Sequence, residues 1–207
     1  MVTIPKQLEW ARSLQAIAQN GLAYGEPHEY DRERYEQVRR IAAEMLTGDD
    51  NAVDLDAAFA REIGYATPKL DVRGVAFDGD GILLVRDRAE GWWTIPGGWA
   101  DVGESPGDAV SREVLEESGY NTRAVKLLAM YDRNRHEYEP HQWHVWNAIF
   151  LCELNGAGAG ELGYETDQVG FFEREALPEP LYAEGMRRLI GRAFEHKDNP
   201  EWPADFD

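Results

Sequence analysis

Apolar residues recur every three or four positions in the first third of the chain, a spacing that predicts helices. Trp10, Leu14 and Ile17 fall on one face of a first helix. Thr3 is a residue type that caps helix beginnings, and Gly21 is one that ends helices. We expect the apolar face to pack against the neighbouring part of the chain and to contribute to contact with a second copy.

A second helix is predicted after Pro27 and a short third helix after Asp54, because the apolar positions keep the same period there. Gly48 suits the end of the second helix. Together these elements predict a small all-α domain over residues 1–66. The apolar stripe of the second helix consists of Tyr35, Val38, Ile41, Ala42 and Met45.

Beyond this domain the apolar period changes to the alternation of β-strands. Asp78 to Gly81 is a turn between two extended runs, and 156–160 is a Gly/Ala loop. Helices are predicted over 105–119 and 178–194, so the second domain, 67–207, is an α/β domain with a mixed sheet. The strand candidates are 70–76, 81–85, 122–132, 142–154 and 169–172.

Charge narrows the range of partners. The 207 residues include 21 Lys and Arg against 39 Asp and Glu, a formal net charge of −18. A surface this negative repels nucleic acids and anionic membranes. It would also repel a phosphorylated substrate, unless the acidic residues are gathered to hold cations.

Cysteine use and the absence of targeting signals bear on location. The single cysteine, Cys152, excludes an internal disulfide and lies in an apolar run that predicts a buried strand. The first residues lack the basic stretch and apolar block of a signal peptide. No apolar run approaches the roughly 18 residues that a membrane helix needs. We therefore expect a cytoplasmic protein without a membrane partner.

The predicted helix over 105–119, for which Ser105 is a suitable N-cap, carries the most informative side chains. Glu113, Glu116 and Glu117 are spaced i, i+3 and i+4, so their carboxylates share one helical face. Like charges so close destabilise a helix unless something neutralises them. A hard divalent cation with oxygen ligands would do so.

A glycine pair precedes this helix. Gly97 and Gly98 have no Cβ, so the backbone there can approach a ligand closely. A free carbonyl in the loop could bind a metal, and free N–H groups could meet phosphate oxygens. Arg112 adds a fixed positive charge beside the glutamates.

The segment from Gly98 to Tyr120 resembles the Nudix box: a Gly, five residues, Glu, seven residues, then Arg-Glu-apolar-any-Glu-Glu-any-Gly-apolar. The lead-in from Trp93 to Gly98 also looks like the segment that precedes this box. The resemblance implies a Nudix-type α/β/α sandwich that cleaves the pyrophosphate of a nucleoside diphosphate linked to another group. The matching positions are Gly98, Glu104, Arg112, Glu113, Val114, Glu116, Glu117, Gly119 and Tyr120.

The resemblance also implies roles for individual residues. Arg112 would orient the glutamates, and Gly98 and Glu104 would support the same network. The base that deprotonates the attacking water is either a box glutamate or an acid from a later loop. Glu165, just before the predicted strand 169–172, is in the right place, and its alternative is a solvated loop acid without a catalytic role. The catalytic candidates are therefore Glu116, Glu117, Arg112 and Glu165. The candidate ligands of Mg²⁺ or Mn²⁺ are Gly97, Glu113, Glu116 and Glu117.

Segments outside the box are similar to one bacterial Nudix group with a helical N-terminal domain, which includes the CDP-choline pyrophosphatases. This similarity implies cleavage of CDP-choline or a related compound to a nucleoside monophosphate and a phosphorylated alcohol. It also implies a homodimer to which the N-terminal helices contribute. The segments are 8–22, 35–36, 68–74, 126–133 and 143–154.

Two arginines and two tryptophans are candidates for contact with the substrate. Arg73 and Arg133 could meet phosphate oxygens. Trp93 and Trp99 could stack on a base or enclose a quaternary ammonium. The alternative for each is a purely structural position.

Other functions are compatible with the same residues. The substrate could be ADP-ribose, a dinucleotide, a nucleoside triphosphate or an RNA end, although the net charge disfavours RNA. A Nudix fold could also sense a nucleotide without cutting it, although such domains usually have broken boxes, or it could act as an isomerase. His136, His141 and His144 raise a zinc alternative, but no second Cys or His pair completes such a site.

Overall fold

The computed structural model of the protein describes residues 5–47, 51–156 and 162–207. The predictions made at Thr3, at Gly48 and for most of the loop 156–160 lie outside these residues. The chain forms two compact units, a helical unit and an α/β unit. The helical unit comprises residues 2–68 and 140–144, and the α/β unit comprises residues 69–139 and 145–207.

Three helices build the helical unit, as the apolar period predicts. Phe59 is almost fully buried, and its ring meets the edge of Trp143 at 5.1 Å between centroids. Ala43 and Leu55 complete the small core around this aromatic pair. The helices are α1 (Lys6–Tyr24), α2 (Glu29–Thr47) and α3 (Ala52–Arg61).

The first helix differs from its prediction in length and in orientation. It passes through Gly21 and ends at Tyr24. Gly21 lies against the ring of Tyr35 on α2, where a Cβ would clash, so this glycine permits close helix packing. The larger apolar residues Trp10 and Ile17 point outward, with 59% and 57% of their surface exposed. The buried residues of α1 are Leu8, Ala11, Gln15, Ala18 and Gln19.

The second and third helices also depart from their predictions in detail. Ala42 is buried as predicted, but its partner in the core is Ala43, and Ile41 is 41% exposed. Helix α3 begins at Ala52, so Asp54 lies in its first turn. An acidic residue is favourable there because the first turn carries the positive end of the helix dipole.

A five-stranded sheet forms the centre of the α/β unit. The order of its strands is β5-β1-β7-β6-β9. The β1–β7 and β6–β9 pairs are parallel and the others are antiparallel, so the sheet is mixed as predicted. These strands are β1 (Lys69–Val75), β5 (Gly97–Trp99), β6 (Thr122–Asp132), β7 (Val145–Leu154) and β9 (Asp205–Phe206).

A second, antiparallel sheet is arranged around one central strand, β3, which pairs with β2, β4 and β8. The predicted turn from Asp78 to Gly81 joins β2 to β3. The strands are β2 (Phe77–Asp78), β3 (Gly81–Asp87), β4 (Trp93–Thr94) and β8 (Thr166–Phe172).

Two helices cover opposite faces of the five-stranded sheet because side chains alternate along each strand. Val72 of β1 faces α4 (Pro106–Ser118), whereas Val75 faces α5 (Glu184–Asp198). The fold class, an α/β domain with a mixed sheet preceded by a helical region, is therefore confirmed. No helix among the described residues combines the length and apolarity needed to cross a bilayer.

The closing helix begins later than predicted, at Glu184 instead of 178. The preceding backbone is irregular and bonds to β4: Trp93 N–H donates to Pro180 O (2.8 Å), and Tyr182 N–H donates to Trp93 O (2.9 Å). These long-range bonds satisfy the backbone outside a helix. Strand β7 similarly begins at Val145 and not at 142.

Candidate active site

Helix α4 is fixed at both ends and along its inner side. Ser105 Oγ accepts a hydrogen bond from Asp108 N–H (3.2 Å), which caps the beginning of the helix. Gly119 adopts the left-handed conformation (φ 71°), and its N–H donates to Leu115 O (2.8 Å). Val110 is fully buried on the side facing the sheet. The glutamates on the other side are therefore presented by a rigid element.

Arg112 joins four backbone and side-chain groups of the site. Its guanidinium donates two hydrogen bonds to Glu104 (2.9 and 3.0 Å) and one each to Glu113 (2.8 Å) and Glu116 (3.0 Å). It also donates to Trp99 O (3.3 Å). The bond from Arg112 lowers the pKa of Glu104, and these carboxylates together raise the pKa of Arg112. Arg112 is thus a permanent cation that holds the glutamates in place.

Glu117 lies deeper than its neighbours and is held by backbone. Gly97 N–H donates to its carboxylate (2.9 Å). Burial raises the pKa of Glu117 to about 7, and the charge of Arg73 and the Gly97 bond only partly oppose this effect. Burial also raises the pKa of Glu113. Burial therefore destabilises the charged forms of both carboxyls, and a bound cation would offset this effect.

The glycine pair lies directly against these carboxylates. Gly97 has φ 150°, and a Cβ there would overlap Val72 O of the neighbouring strand. A Cβ on Gly98 would come within 2.8 Å of a Glu113 carboxylate oxygen. Both positions thus need glycine so that β5 can pass between β1 and the glutamates.

A second loop reaches the other end of the site. Gly163 packs on the carbonyl of Glu116 so closely that a Cβ would overlap it. Thr166 Oγ donates to Glu117 O (2.6 Å). Between these anchors lies Glu165, whose exposed carboxylate is near enough to raise the pKa of Glu117. The structure thus brings the loop acid beside the box glutamates.

The predicted phosphate-binding arginines are both engaged within the protein. Arg73 forms a two-pronged ion pair with Asp71 (2.9 and 3.0 Å) and donates to Ile95 O (3.2 Å). Burial works against its charge, but Asp71 more than compensates, so the pKa of Arg73 is raised. Arg133 donates to Tyr182 Oη (2.7 Å) and lies over the ring of Tyr138. Arg73 therefore influences the site electrostatically, because its positive charge lowers the pKa of Glu117.

The two candidate tryptophans occupy different environments. Trp93 is only 8% exposed and packs edge-on against Phe172 in the core beneath α5. Trp99 is 48% exposed at the end of β5, next to the arginine that binds its carbonyl. Trp99 is therefore the more exposed of the two.

A cleft of about 210 Å³ on the α5 side of the sheet was missed by the sequence reasoning. Asp71 of β1, Asn147 of β7 and Tyr131 of β6 lie side by side on neighbouring strands. Asn147 and Tyr131 line the cleft, so the cleft begins one strand away from the Asp71–Arg73 pair. Asn147 is 6% exposed, and among the described residues its Oδ1 has no hydrogen-bond partner. The cleft is lined by Tyr131, His136, Tyr138, Asn147, Gly185, Arg188, Leu189 and Arg192.

The sequence offered a weak signal for this cleft. Asn147 is a polar residue within the apolar run of β7, and a buried polar group without a partner often marks a ligand position. Without the strand register, nothing placed Asn147 beside the residues of β1 and β6.

The donor atoms around α4 suit a hard divalent cation. In the part of the chain that the structure describes, no three Asp, Glu, His or Cys side chains converge as a metal site. The reason is that Arg112 draws Glu113 and Glu116 to itself, while Gly97 draws Glu117. The carboxylates nevertheless share one face of α4 beside the glycine loop, and carboxylate oxygens are the ligands that hard divalent cations prefer.

Carboxylates that crowd one helix, an arginine that holds them and a glycine-lined loop define the class of cation-dependent pyrophosphohydrolases. The chain belongs to the Nudix family: the model described as NUDIX domain matches residues 67–192. A second model, described as UDP-X-like, N-terminal oligomerisation domain, matches residues 5–56.

Known proteins match the chain, two of the following three over nearly its full length. "Putative ADP-ribose pyrophosphatase YjhB" of Bacillus subtilis (strain 168) is 37% identical over 98% of this chain and 97% of its own. A crystal structure titled ADP-ribose pyrophosphatase, from Streptococcus suis, is 37% identical with a TM-score of 0.61 and covers 68% of this chain and all of that one. The crystal structure of a UDP-X diphosphatase is 28% identical with a TM-score of 0.61 and covers 98% of both chains.

These similarities settle the general activity. The protein is a Nudix pyrophosphohydrolase that acts on nucleoside diphosphate-linked moieties, and the family generally needs a divalent metal.

Proposed function

We propose that this enzyme hydrolyses ADP-ribose to AMP and ribose 5-phosphate with Mg²⁺ or Mn²⁺. The observation that carries the proposal is the group of Glu113, Glu116 and Glu117 on α4, facing the Gly97–Gly98 loop. The full-length similarity to a relative named as a putative ADP-ribose pyrophosphatase supports the choice of substrate. CDP-choline is the second candidate, since segments outside the box resemble the CDP-choline pyrophosphatases.

The residues around α4 have different roles in the proposed reaction. Glu113, Glu116 and Glu117, with the carbonyl of Gly97, would hold the cation, and Arg112 with Glu104 would keep them oriented. When bound, the cation supplies charge to the pyrophosphate oxygens and makes a nearby water more acidic. Gly98 keeps the space beside Glu113 open.

Two carboxylates are placed to accept the proton of the attacking water. Glu165 is exposed and lies beside Glu117, and its loop is anchored by Thr166. Glu117 has a pKa raised to about 7 by burial, which suits a base at neutral pH when it is not neutralised by a cation. A pH profile of kcat for Glu165→Gln separates the two. If Glu165 is the base, the fall in kcat at low pH disappears from the profile of that variant.

The cleft between the sheet and α5 would receive the part of the substrate beyond the pyrophosphate. Asn147 Oδ1 offers an acceptor for a hydroxyl or amino group. The rings of Tyr131 and Tyr138 provide apolar walls, and Arg188, which is paired with Glu137 (2.9 Å), also lines the cleft. The pKa of Tyr138 is raised to about 12 by burial, so its hydroxyl stays protonated and can donate.

The test is a substrate panel with identified products. Purified protein is assayed with Mg²⁺ and with Mn²⁺ against ADP-ribose, CDP-choline, a UDP-sugar and a dinucleotide. We expect the highest kcat/KM for ADP-ribose. Rapid release of CMP from CDP-choline with slow cleavage of ADP-ribose would reverse the order of the two candidates.

A single substitution tests the site independently of the substrate. Glu117→Gln should lower kcat by roughly 10²–10³-fold, because it removes a charged donor from the cation site. The matched control is Glu153→Gln, an exposed glutamate on β7 that pairs with the exposed Arg123 (2.7 Å). Near-normal turnover in Glu117→Gln would contradict the proposed site, whichever substrate is cleaved.

A further inference from the structure

An exposed arginine holds the segment that carries Glu165. Arg88 is the first residue after β3 and lies in the turn of residues 88–90. Its guanidinium donates a hydrogen bond to Thr166 O (2.7 Å), and its backbone N–H donates to Glu165 O (2.8 Å). The guanidinium carbon also lies 6.0 Å from the centre of the Tyr164 ring. Arg88 therefore contacts three consecutive residues at the beginning of β8.

The turn that carries Arg88 is itself held in a defined shape. Asp87 Oδ1 accepts hydrogen bonds from Ala89 N–H (2.9 Å) and from Glu90 N–H (2.7 Å). An aspartate that binds backbone N–H groups two and three residues further on fixes a tight turn. The backbone of Arg88 is thus in place before its side chain makes any contact.

A β-bulge lies at the same point of the neighbouring strand. Arg86 of β3 lies opposite Gln168 of β8. The next residue of β3, Asp87, lies opposite Thr166, so Asp167 has no counterpart on β3. Asp167 is held by a two-pronged ion pair with Arg86 (2.8 and 2.7 Å). A bulge bends the strand that contains it, so the segment before β8 leaves the sheet in a changed direction.

The same segment is attached to α4 on its other side. Thr166 is 2% exposed, and its Oγ donates to Glu117 O (2.6 Å). Gly163 packs directly on the carbonyl of Glu116. Glu165 lies between these two contacts, and its exposed carboxylate acts electrostatically on Glu117. The backbone around Glu165 is therefore joined to α4 on one side and to the end of β3 on the other.

We propose that Arg88 is a positioning residue for the reaction: its bond to Thr166 O fixes the backbone next to Glu165 and so holds the Glu165 carboxylate beside Glu117. This inference rests on the proposed function, in which Glu165 is one of two carboxylates placed to accept the proton of the attacking water. Arg88 acts through Glu165 and not by binding the substrate.

The reaction needs this carboxylate in one place. The oxygen of the attacking water bonds to one phosphorus as the bridging P–O bond breaks, and the electron pair of that bond leaves with the other phosphate. The proton of the water passes to Glu165. A base has to lie within hydrogen-bond reach of that proton, and a displacement of about 1 Å can lower the rate roughly 100-fold. An exposed loop that carries the base therefore needs an anchor, which Arg88 supplies.

The first experiment is a double-mutant cycle with the substrate that the panel identifies. Arg88→Met keeps the apolar stem and removes the donors, so kcat should fall about tenfold while KM changes less than about twofold. In the Glu165→Gln background the same substitution should change kcat less than about twofold, because the group that Arg88 positions is already absent. Arg88→Lys restores a donor and should recover most of the lost kcat.

The matched control is Arg174→Met, at the other end of the same strand. Arg174 is exposed, follows β8 by two residues and pairs with Asp198 (2.5 Å), so its loss removes the same charge far along the strand from Glu165. We expect its kcat to equal that of the wild type. An equal fall of kcat on Arg88→Met with and without Glu165→Gln, or a rise in KM at constant kcat, would overturn the inference. Near-normal kcat in Glu165→Gln alone would overturn it too.

The second experiment does not depend on activity. Hydrogen–deuterium exchange of the peptide spanning 162–168 should be at least about threefold faster in Arg88→Met than in the wild type, and Arg88→Lys should exchange as the wild type does. Unchanged exchange in Arg88→Met would refute the anchoring role even if the enzyme cleaved every substrate of the panel. A wild type that cleaves none of them would refute the proposed function instead, so the two failures are distinguishable.

Discussion

At the scale of single residues, Glu117 shows how the fold alters a carboxyl group. The side chain is largely removed from water, which disfavours its charged form. The hydrogen bond from Gly97 N–H and the positive charge of Arg73 partly offset that effect. Its pKa of about 7 means that charged and neutral forms are both populated near neutral pH. A divalent cation binds only the charged form, so protons and cations compete at this residue.

This competition gives a prediction about stability and pH. With a pKa near 7 when folded and 4.5 when unfolded, Glu117 binds more protons in the folded state between these values. Its contribution to the free energy of unfolding therefore falls as pH rises through that interval. We expect the Tm of cation-free wild type to decline more steeply than that of Glu117→Gln from about pH 5 to about pH 7.5.

Adding Mg²⁺ supplies the control for this measurement. At about pH 7.5, where the carboxylate is mostly charged, the cation should raise the Tm of the wild type and have a much smaller effect on Glu117→Gln. Parallel pH slopes in the two proteins would show that Glu117 does not carry the raised pKa.

At the scale of elements, the site depends on how closely β5 passes α4. Gly98→Ala would place a methyl group 2.8 Å from one Glu113 carboxylate oxygen and 3.0 Å from its carbon. The carboxylate would have to move away from the glycine loop. The contact of Glu113 with Arg112 would then change as well.

We expect Gly98→Ala to lower kcat and to weaken cation binding at least tenfold, with a small change in Tm, because the strain falls on a side chain that can rotate. Calorimetric titration with Mn²⁺ and steady-state kinetics measure these effects. The matched control is Gly107→Ala in α4, where the new methyl would meet Ala124 at an ordinary 3.7 Å and favour the helix. Equal cation affinity in both variants would argue against the proposed metal position.

At the scale of the α/β unit, one carboxylate links the last strand to two neighbouring elements. Asp205 accepts hydrogen bonds from Arg192 (2.8 Å), His196 Nε2 (3.0 Å) and Tyr131 (3.1 Å). These partners lie on β6 and α5, so Asp205 ties the short strand β9 to both. The pKa of Asp205 is held well below its usual range by the bonds from Arg192.

Asp205→Ala should lower the free energy of unfolding by about 2–3 kcal/mol, because it leaves His196 Nε2 without its acceptor and leaves Arg192 with only its bond to Glu195 (2.6 Å). Since the folded pKa is depressed, this contribution is complete above about pH 4 and is lost as pH falls below it. Urea unfolding at pH 7 and at pH 3 should show a larger difference from wild type at the first pH than at the second, because the contribution is only partly lost at pH 3. Asp80→Ala is the control, since that carboxylate is 94% exposed.

Sequence patterns predicted most elements of the fold because those patterns are local. The helix over 106–118 was predicted from its own cap residues, Ser105 and Gly119, and the structure places the ends there. The turn from Asp78 to Gly81 was identified from its own four residues. In each case the interactions that decide the conformation join residues a few positions apart.

The predictions that failed depended on distant residues. Gly21 looked like a helix end, but the ring of Tyr35 requires a glycine there within a continuing helix. Residues 178–183 have a helical pattern, yet their backbone bonds to Trp93. The outward position of Trp10 and Ile17 likewise follows from which side of α1 meets the rest of its unit.

The sequence by itself determined the Nudix box, the shared helical face of its glutamates and the glycine loop before it, because covalent spacing and helical periodicity suffice to align them. Only the tertiary structure decided that Arg73 and Glu165 lie near Glu117 and that Asn147 opens onto a cleft. The physical reason is strand register: it brings residues far apart in the chain within a few ångströms, and it is set by the packing of the whole sheet and its two helices.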